Sequence, residues 1–274
     1  MAGERVALQA VVFDWAGTVL DHGSFAPMGA FVQLFARHGV VVSIEEARGP
    51  MGLPKWDHIS TLLRLPAVVQ QWQSQRGRAP ARADVDALYA EFTPMNRASV
   101  RDHSRLIDGV LPLVDALRTR GLKIGSTTGY NREIMDVVVP LAAAQGWQPD
   151  NLVCAGDTPL GRPTPVAMYR CFSDLGVWPA RAVVKVDDTA PGIAEGAAAG
   201  CWCVGVVASG NGVGLTAEAW ASLPEASKVQ HRERVGAELR AAGAHAVVDS
   251  VAELLPLLGH FQARLDAGER PAAA

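Results

Sequence analysis

The chain lacks most of the features that would place it outside the soluble globular proteins. It has no basic excess: 25 Lys and Arg stand against 28 Asp and Glu, for a net charge of −3. Nucleic-acid surfaces work by neutralising phosphates, so a polyanionic partner is disfavoured. No apolar run approaches the ~18 residues of a membrane span. Cysteines number only four, Cys154, Cys171, Cys201 and Cys203. Cys201-Trp202-Cys203 is too tight for a usual zinc knuckle, and no His pair lies nearby at ligand spacing. They read as small reduced hydrophobes without chemistry. Glu4 and Arg5 lead almost at once into a strand-like run, which leaves no room for a signal peptide. Disorder is excluded over most of the length by an apolar content of 49%. The expectation is a soluble, cytoplasmic, globular protein of one large domain or two modest ones.

What is present is alternation. Six short apolar runs read as strands: Gln9–Phe13, Lys123–Thr127, Asn151–Ala155, Ala182–Val186, Cys203–Ala208 and Ala244–Val248. Helical patterns fill most of the intervals, at Gly109–Arg120, Arg132–Gln145, Thr164–Leu175, Gly192–Ala199 and Val251–Leu265. Continuous apolar strands separated by helices predict an α/β fold, a doubly wound parallel sheet covered on both faces. One stretch interrupts it. From His22 to Ser104 only helical patterns occur, at Pro27–His38, Pro54–Leu65 and Ala83–Val100, with a polar link at Arg76–Arg82. The predicted organisation is therefore an α/β core, 1–21 and 105–274, with an all-helical cap, 22–104, inserted after the first strand. That places the cap over the strand ends where open α/β sheets bind ligands. Ser209–Glu233 reads as a long surface loop and helix, and the tail Gly268–Ala274 as frayed.

Chemistry-bearing residues cluster at strand ends. Val11-Val12-Phe13-Asp14-Trp15-Ala16-Gly17-Thr18 ends a strand in a carboxylate, costly to bury unless paired with a cation or metal. Val183-Val184-Lys185-Val186-Asp187-Asp188-Thr189 repeats the pattern. Asp14 and Asp188 thus point into one crevice, where two carboxylates suit an oxygen-only magnesium site. Acids that merely cap the next turn or helix are the alternative at this point. Ser126-Thr127-Thr128-Gly129-Tyr130 offers hydroxyls and backbone N–H groups before a helix, an anion cradle. Gly161-Arg162-Pro163-Thr164-Pro165 holds a cation on a turn stiffened by prolines.

In this chain order the four segments resemble the haloacid dehalogenase superfamily of phosphotransferases. The resemblance implies that Asp14 attacks phosphorus and carries an aspartyl phosphate. It also implies Mg²⁺ held by Asp14, the backbone oxygen of Ala16, and Asp188. A second Asp usually follows the nucleophile by two residues in superfamily phosphatases and protonates the leaving alkoxide. Ala16 stands there and donates no proton, a loss of ~10²–10⁴-fold for an ester hydrolase.

Met51-Gly52-Leu53-Pro54-Lys55-Trp56-Asp57-His58 places Lys55 and His58 on one helix face. A desolvated lysine can form a Schiff base, and a nearby histidine can move protons. With Asp-Trp-Ala-Gly-Thr, Gly-Ser-Thr-Thr-Gly-Tyr and Gly-Arg-Pro-x-Pro, this set is similar to the phosphonoacetaldehyde hydrolase (phosphonatase) family over most of the chain. That family cleaves a C–P bond in 2-aminoethylphosphonate degradation. The resemblance implies that Lys55 forms the imine and that His58 transfers protons. It further implies that Met51 lies beside the imine, that Thr128, Gly129 and Arg162 contact phosphate, and that Tyr130 lines the site. Which of Thr127 and Thr128 reaches the phosphate is open, as is the role of Asp187. Two departures stand out: Asp187-Asp188 replaces the common Gly-Asp, and Gly192 stands where a further acid often sits. The family also implies a homodimer built through the cap, with Phe31, Leu34 and Phe35 as apolar positions that permit it. A magnesium-dependent phosphatase or phosphomutase without an imine is the alternative activity.

Overall fold

The computed structural model describes residues 6–271. Glu4 and Arg5, and the last three residues of the tail, lie outside the described residues. All six anticipated strands form: β1 Ala10–Phe13, β2 Lys123–Asn131, β3 Val153–Ala155, β4 Val183–Asp187, β5 Trp202–Val206 and β6 Ala246–Val248. They make one parallel sheet in the order β3-β2-β1-β4-β5-β6. β2 runs four residues past its expected end at Thr127, with a register shift against β3 between Thr127 and Asn131. Thr128, Gly129 and Tyr130 therefore lie on the strand itself, not on a loop after it.

Between β1 and β2 lie α1 Ala26–Arg37, α2 Ile44–Arg48, α3 Lys55–Leu62, α4 Pro66–Arg76 and α5 Arg82–Ser99. After β2 come α7 Arg132–Ala143 and α8 Val166–Leu175, and after β4 comes α9 Ala190–Ala199, while α6 Val110–Thr119 precedes β2. Following β5 are α10 Ala217–Ser222, α11 Glu225–Ala241 and α12 Leu254–Asp266. The segment 209–233, read as loop and helix, thus carries α10 and the start of α11.

Alternation along β1 explains the layering. Val11 and Phe13 enter an apolar cluster with residues of α6, α7 and α12. Ala10 and Val12 face the opposite layer, with Met168 and Cys171 of α8 and Ile193 of α9. A strand buried on both faces has no polar side to present, hence its continuous apolar run. The four cysteines are buried free thiols, as expected.

The helical insert has an apolar cluster of its own, including Phe31, Leu34, Phe35, Ile59, Trp72 and Phe92. Phe31 stacks on Phe92 with ring centroids 4.3 Å apart, joining α1 to α5. Phe31, Leu34 and Phe35 are each fully buried. They are spent on this internal core and are not available to a partner subunit, which corrects the reading of them as a dimer surface.

Candidate active site

Sheet register assembles the first part of the site. Phe13 pairs with Ser126 on one side and Val186 on the other. The next rung therefore brings Asp14, Thr127 and Asp187 side by side at the carboxyl ends of three central strands. Asp14 N–H donates to the Val186 carbonyl at 2.9 Å, which keeps Asp14 in register with β4. Ligand oxygens of Asp14, Asp187 and Asp188 all lie within 4.8 Å of one another.

Asp188 is oriented by two donors: Thr18 Oγ1 at 3.1 Å to Oδ1 and the Asn211 N–H at 2.7 Å to Oδ2. Its approach also requires Gly17, whose φ of +79° is left-handed and whose Cβ, if present, would lie 2.8 Å from Asp188 Cγ. Burial raises the pKa of Asp14 to about 6, with Asp187 adding to the rise. Burial, then Asp14 and Asp187, raise Asp188 well above the ordinary range. At Asp187 burial acts the same way, but Arg162 and Lys185 outweigh it and the net direction is down. Three dehydrated carboxylates this close favour a divalent cation, so the donor set fits a hard, oxygen-seeking metal such as Mg²⁺.

Cations sit beneath this cluster. Arg162 Nη1 is 2.9 Å from Asp14 Oδ1, its Nε 3.1 Å from Glu195 Oε2, and its Nη2 donates to the Thr127 carbonyl and hydroxyl at 2.9 Å each. Lys185, inside β4 and fully buried, places Nζ 2.7 Å from Thr127 Oγ1, 3.1 Å from Asp187 Oδ2 and 3.3 Å from Glu195 Oε2. Thr127 Oγ1 in turn donates to Glu195 Oε2 at 2.8 Å. Thr127 is therefore committed to the network, and Thr128 is the hydroxyl that lines the cavity. Reading the sequence segment by segment missed Lys185 and Glu195. The available signal was a lysine in the middle of an otherwise apolar strand, which burial tolerates only opposite a carboxylate.

The second part of the site comes from the insert. The turn 51–54 descends onto glycines: a Cβ at Gly129 would meet the Leu53 carbonyl oxygen at 2.9 Å, and one at Gly161 would meet Pro54 Cγ at 2.5 Å. This seating brings the start of α3 over the sheet. Lys55 is 4% exposed, with Nζ 3.5 Å from Met51 Sδ and over the rings of Tyr130 at 5.2 Å and Phe31 at 5.8 Å. Burial in these soft surroundings lowers its pKa to about 8. His58 is fully buried and stacked 4.0 Å from Phe31, with Nε2 2.8 Å from the Ala47 carbonyl. Since a carbonyl only accepts, Nε2 carries the proton and Nδ1 is left as a base without a partner among the described residues. Burial, then the neighbouring Lys55 charge, hold the imidazole well below its usual pKa and so neutral. Tyr130 is pushed well above the phenol range by burial and then by Asp21 and Asp14, so its hydroxyl keeps its proton.

The two parts enclose one narrow cavity of about 20 Å³. Asp14, Ala16, Thr128, Gly129, Tyr130 and Arg162 line it from the sheet, and Met51 and Lys55 line it from the insert. Ser24, Gly52 and Thr189 complete the wall. Of the residues singled out from sequence, Asp188 and His58 stand outside this lining, Asp188 beside Asp14 and His58 one turn along α3 from Lys55.

A buried carboxylate, three acids whose oxygens could hold a metal ion, and a fixed Arg at the strand ends of a parallel sheet define a class. The family model for haloacid dehalogenase-like hydrolases matches residues 8–200. Curated relatives narrow it. The chain is 50% identical over 264 residues to phosphonoacetaldehyde hydrolase of Paraburkholderia phytofirmans, covering 96% of this chain and 99% of that one. It is 47% identical to the Bordetella pertussis phosphonoacetaldehyde hydrolase over 266 residues, covering 97% and 96%. A crystal structure of a phosphonoacetaldehyde hydrolase-like protein from Oleispira antarctica superposes with a TM-score of 0.96, at 39% identity and 99% coverage of both chains. The chain belongs to the phosphonoacetaldehyde hydrolases within the haloacid dehalogenase-like hydrolases.

Proposed function

We propose that the chain hydrolyses the C–P bond of phosphonoacetaldehyde to acetaldehyde and phosphate through an imine on Lys55 and an aspartyl phosphate on Asp14. The observation that carries this reading is the pairing across one cavity of a desolvated lysine and a buried carboxylate, with Ala16 in place of a proton donor. An amine with a pKa of about 8 is neutral in ~10% of molecules at pH 7, far above an ordinary lysine. It can add to the aldehyde and expel water.

Protonated, the imine becomes an electron sink beside phosphorus. Asp14 Oδ attacks phosphorus, the C–P electron pair moves into the sink, and the leaving group departs as an enamine. No acid is then needed at residue 16. Neutral His58, with Nδ1 free, is the group in α3 suited to move protons during imine formation and enamine protonation. Water then cleaves the imine, releasing acetaldehyde and free Lys55, and a second water releases phosphate from Asp14. Arg162 and Thr128 hold the phosphonate oxygens, the backbone N–H of Gly129 approaches without a side chain, and Met51 and Tyr130 exclude water around the imine.

Asp14, the Ala16 carbonyl and Asp188 would hold Mg²⁺. When bound, the ion screens the anionic nucleophile from the anionic phosphonate. Before substrate enters, Arg162 neutralises Asp14 at 2.9 Å. The ester phosphatase or phosphomutase reading is weakened because Ala16 has no proton to give a leaving alkoxide from the position two residues after Asp14. A cytoplasmic homodimer is what the family resemblance implies for the chain, and no helix among the described residues is long and apolar enough to cross a membrane.

The test is release of acetaldehyde and phosphate from phosphonoacetaldehyde by the parent chain and by Lys55→Arg. Turnover by the parent and its loss in the variant are expected. Equal rates would overturn the imine route. Release from phosphate esters, with none from phosphonoacetaldehyde, would favour the alternative.

A further inference from the structure

The segment after β5, expected as a surface loop, starts inside the molecule. Gly210-Asn211-Gly212-Val213-Gly214 is buried or half-buried along its length. On the core side it is stitched to the segment that follows β1. Ser209 Oγ donates to the Gly17 carbonyl at 2.9 Å, and the Gly23 N–H donates to the Ser209 carbonyl at 2.8 Å. The Asn211 N–H then holds Asp188 Oδ2 at 2.7 Å.

The insert reaches the same loop through Arg48, in the last turn of α2. Its Nη1 donates to the Asn211 side-chain oxygen at 3.0 Å, to the Asn211 carbonyl at 3.3 Å and to the Gly23 carbonyl at 2.7 Å. Its Nη2 donates to the Gly214 carbonyl at 3.4 Å. Asn211 returns the contact, its Nδ2 donating to the Arg48 carbonyl at 3.2 Å. The guanidinium also lies 5.2 Å over the Phe25 ring. All of these acceptors are neutral oxygens read by a planar fork, which fixes geometry as well as contact. Gly214 makes the room: at its φ of +66° a Cβ would fall 2.6 Å from Arg48 Cζ.

We propose that Arg48 is a positioning residue that couples the seating of the insert to the orientation of Asp188, through Asn211. With the insert seated, Arg48 grips Asn211 by its side chain and its carbonyl, and the N–H of that same residue aims Asp188. When the insert lifts, Arg48 leaves with α2 and the loop that orients Asp188 loses its clasp. Asp188 is thus fully oriented only while Lys55, carried by the same insert, is over the sheet. The proposal rests on the metal reading above and adds to it a residue of the insert. Charge and geometry predict opposite signs for the loss of Arg48. Its guanidinium is attracted by the Asp188 charge, so removing it should, by charge alone, tighten a divalent cation on the acids. Loss of positioning weakens that cation instead.

The test is Mg²⁺ titration of the purified chain by calorimetry, without substrate. Loss of an outer partner typically weakens metal binding by ~10–100-fold, and a fall in that range is expected for Arg48→Gln. Asn211→Ala keeps the N–H to Asp188 but removes the side chain that Arg48 grips, and should cost the same. The double variant should be no worse than either single one, because the two residues form one clasp; independent structural damage would add. Gly214→Ala keeps the charge of Arg48 but crowds the guanidinium off the loop, so it should weaken Mg²⁺ binding even where Arg48→Gln folds poorly. Parent-like or tighter binding in Arg48→Gln or Gly214→Ala would overturn the proposal, as would additive losses in the double variant. A parent chain that takes up no Mg²⁺ would overturn the metal reading, and this proposal with it.

Discussion

Lysine reactivity is the quantity through which the proposed chemistry is most exposed to refutation. Only a neutral amine adds to an aldehyde, so imine formation should follow the titration of Lys55. Burial sets that titration near pH 8, where Asp14 and Asp188 pull it up and Arg162 pushes it down. At pH 7 the neutral fraction is ~0.1, against ~0.0003 for a lysine at its ordinary 10.5, an advantage of ~300-fold. Trapping with phosphonoacetaldehyde and cyanoborohydride should therefore rise tenfold per unit below pH 8 and level off above it.

The chain contains only four lysines, Lys55, Lys123, Lys185 and Lys228, so peptide mapping gives an unambiguous address. The informative perturbation is Asp14→Asn. It removes the first carboxylate that raises the Lys55 pKa, so the midpoint should move below 8. It also removes the phosphoryl acceptor, so the trapped adduct should keep its phosphonate, whereas the parent adduct should carry only the two-carbon remnant. A midpoint in the ordinary lysine range would refute the desolvation argument. An adduct at Lys123 or Lys228, or a phosphonate-free adduct on Asp14→Asn, would refute the assignment of roles.

Two further outcomes follow from the site's supports. Gly17→Ala adds a Cβ at a left-handed φ of +79° and against Asp188. It should cost ~1–3 kcal/mol in urea unfolding and weaken Mg²⁺ binding; unchanged stability would show that the turn relaxes freely. Glu195→Gln leaves Lys185 and Arg162 short of a buried counter-charge. Breaking such a cluster costs ~3–5 kcal/mol, measurable by denaturant unfolding, and a parent-like midpoint would mean that Asp14 and Asp187 suffice.

The sheet was legible because its strands are buried on both faces, so each stands out as an apolar run ending in polar residues. The acids at those ends were legible for the same reason: Asp14 and Asp188 break an apolar pattern where nothing but function or capping requires it. Two helices of the insert were not. α2 has five residues, too few to show a period, although its capping box of Ser43 and Glu46 was readable. α4 carries Gln70, Gln71, Gln73 and Ser74 around only two buried residues, Val68 and Trp72, so its apolar face is faint. The charged layer below the site was hidden because Lys185 and Glu195 come from different elements and meet only in three dimensions. Phe31 misled for a similar reason: an apolar helix face looks alike whether a neighbouring helix or a partner subunit covers it.

The seating of the turn 51–54 on Gly129 and Gly161 has a consequence for mutational surveys. Neither glycine supplies a functional side chain, yet any larger residue there would prop the lysine-bearing helix away from Asp14. Such variants should score like losses of Lys55 or Asp14 in an activity screen while folding normally. On the proposed mechanism, part of the catalytic apparatus is written as missing atoms, and a search confined to reactive side chains would pass over it.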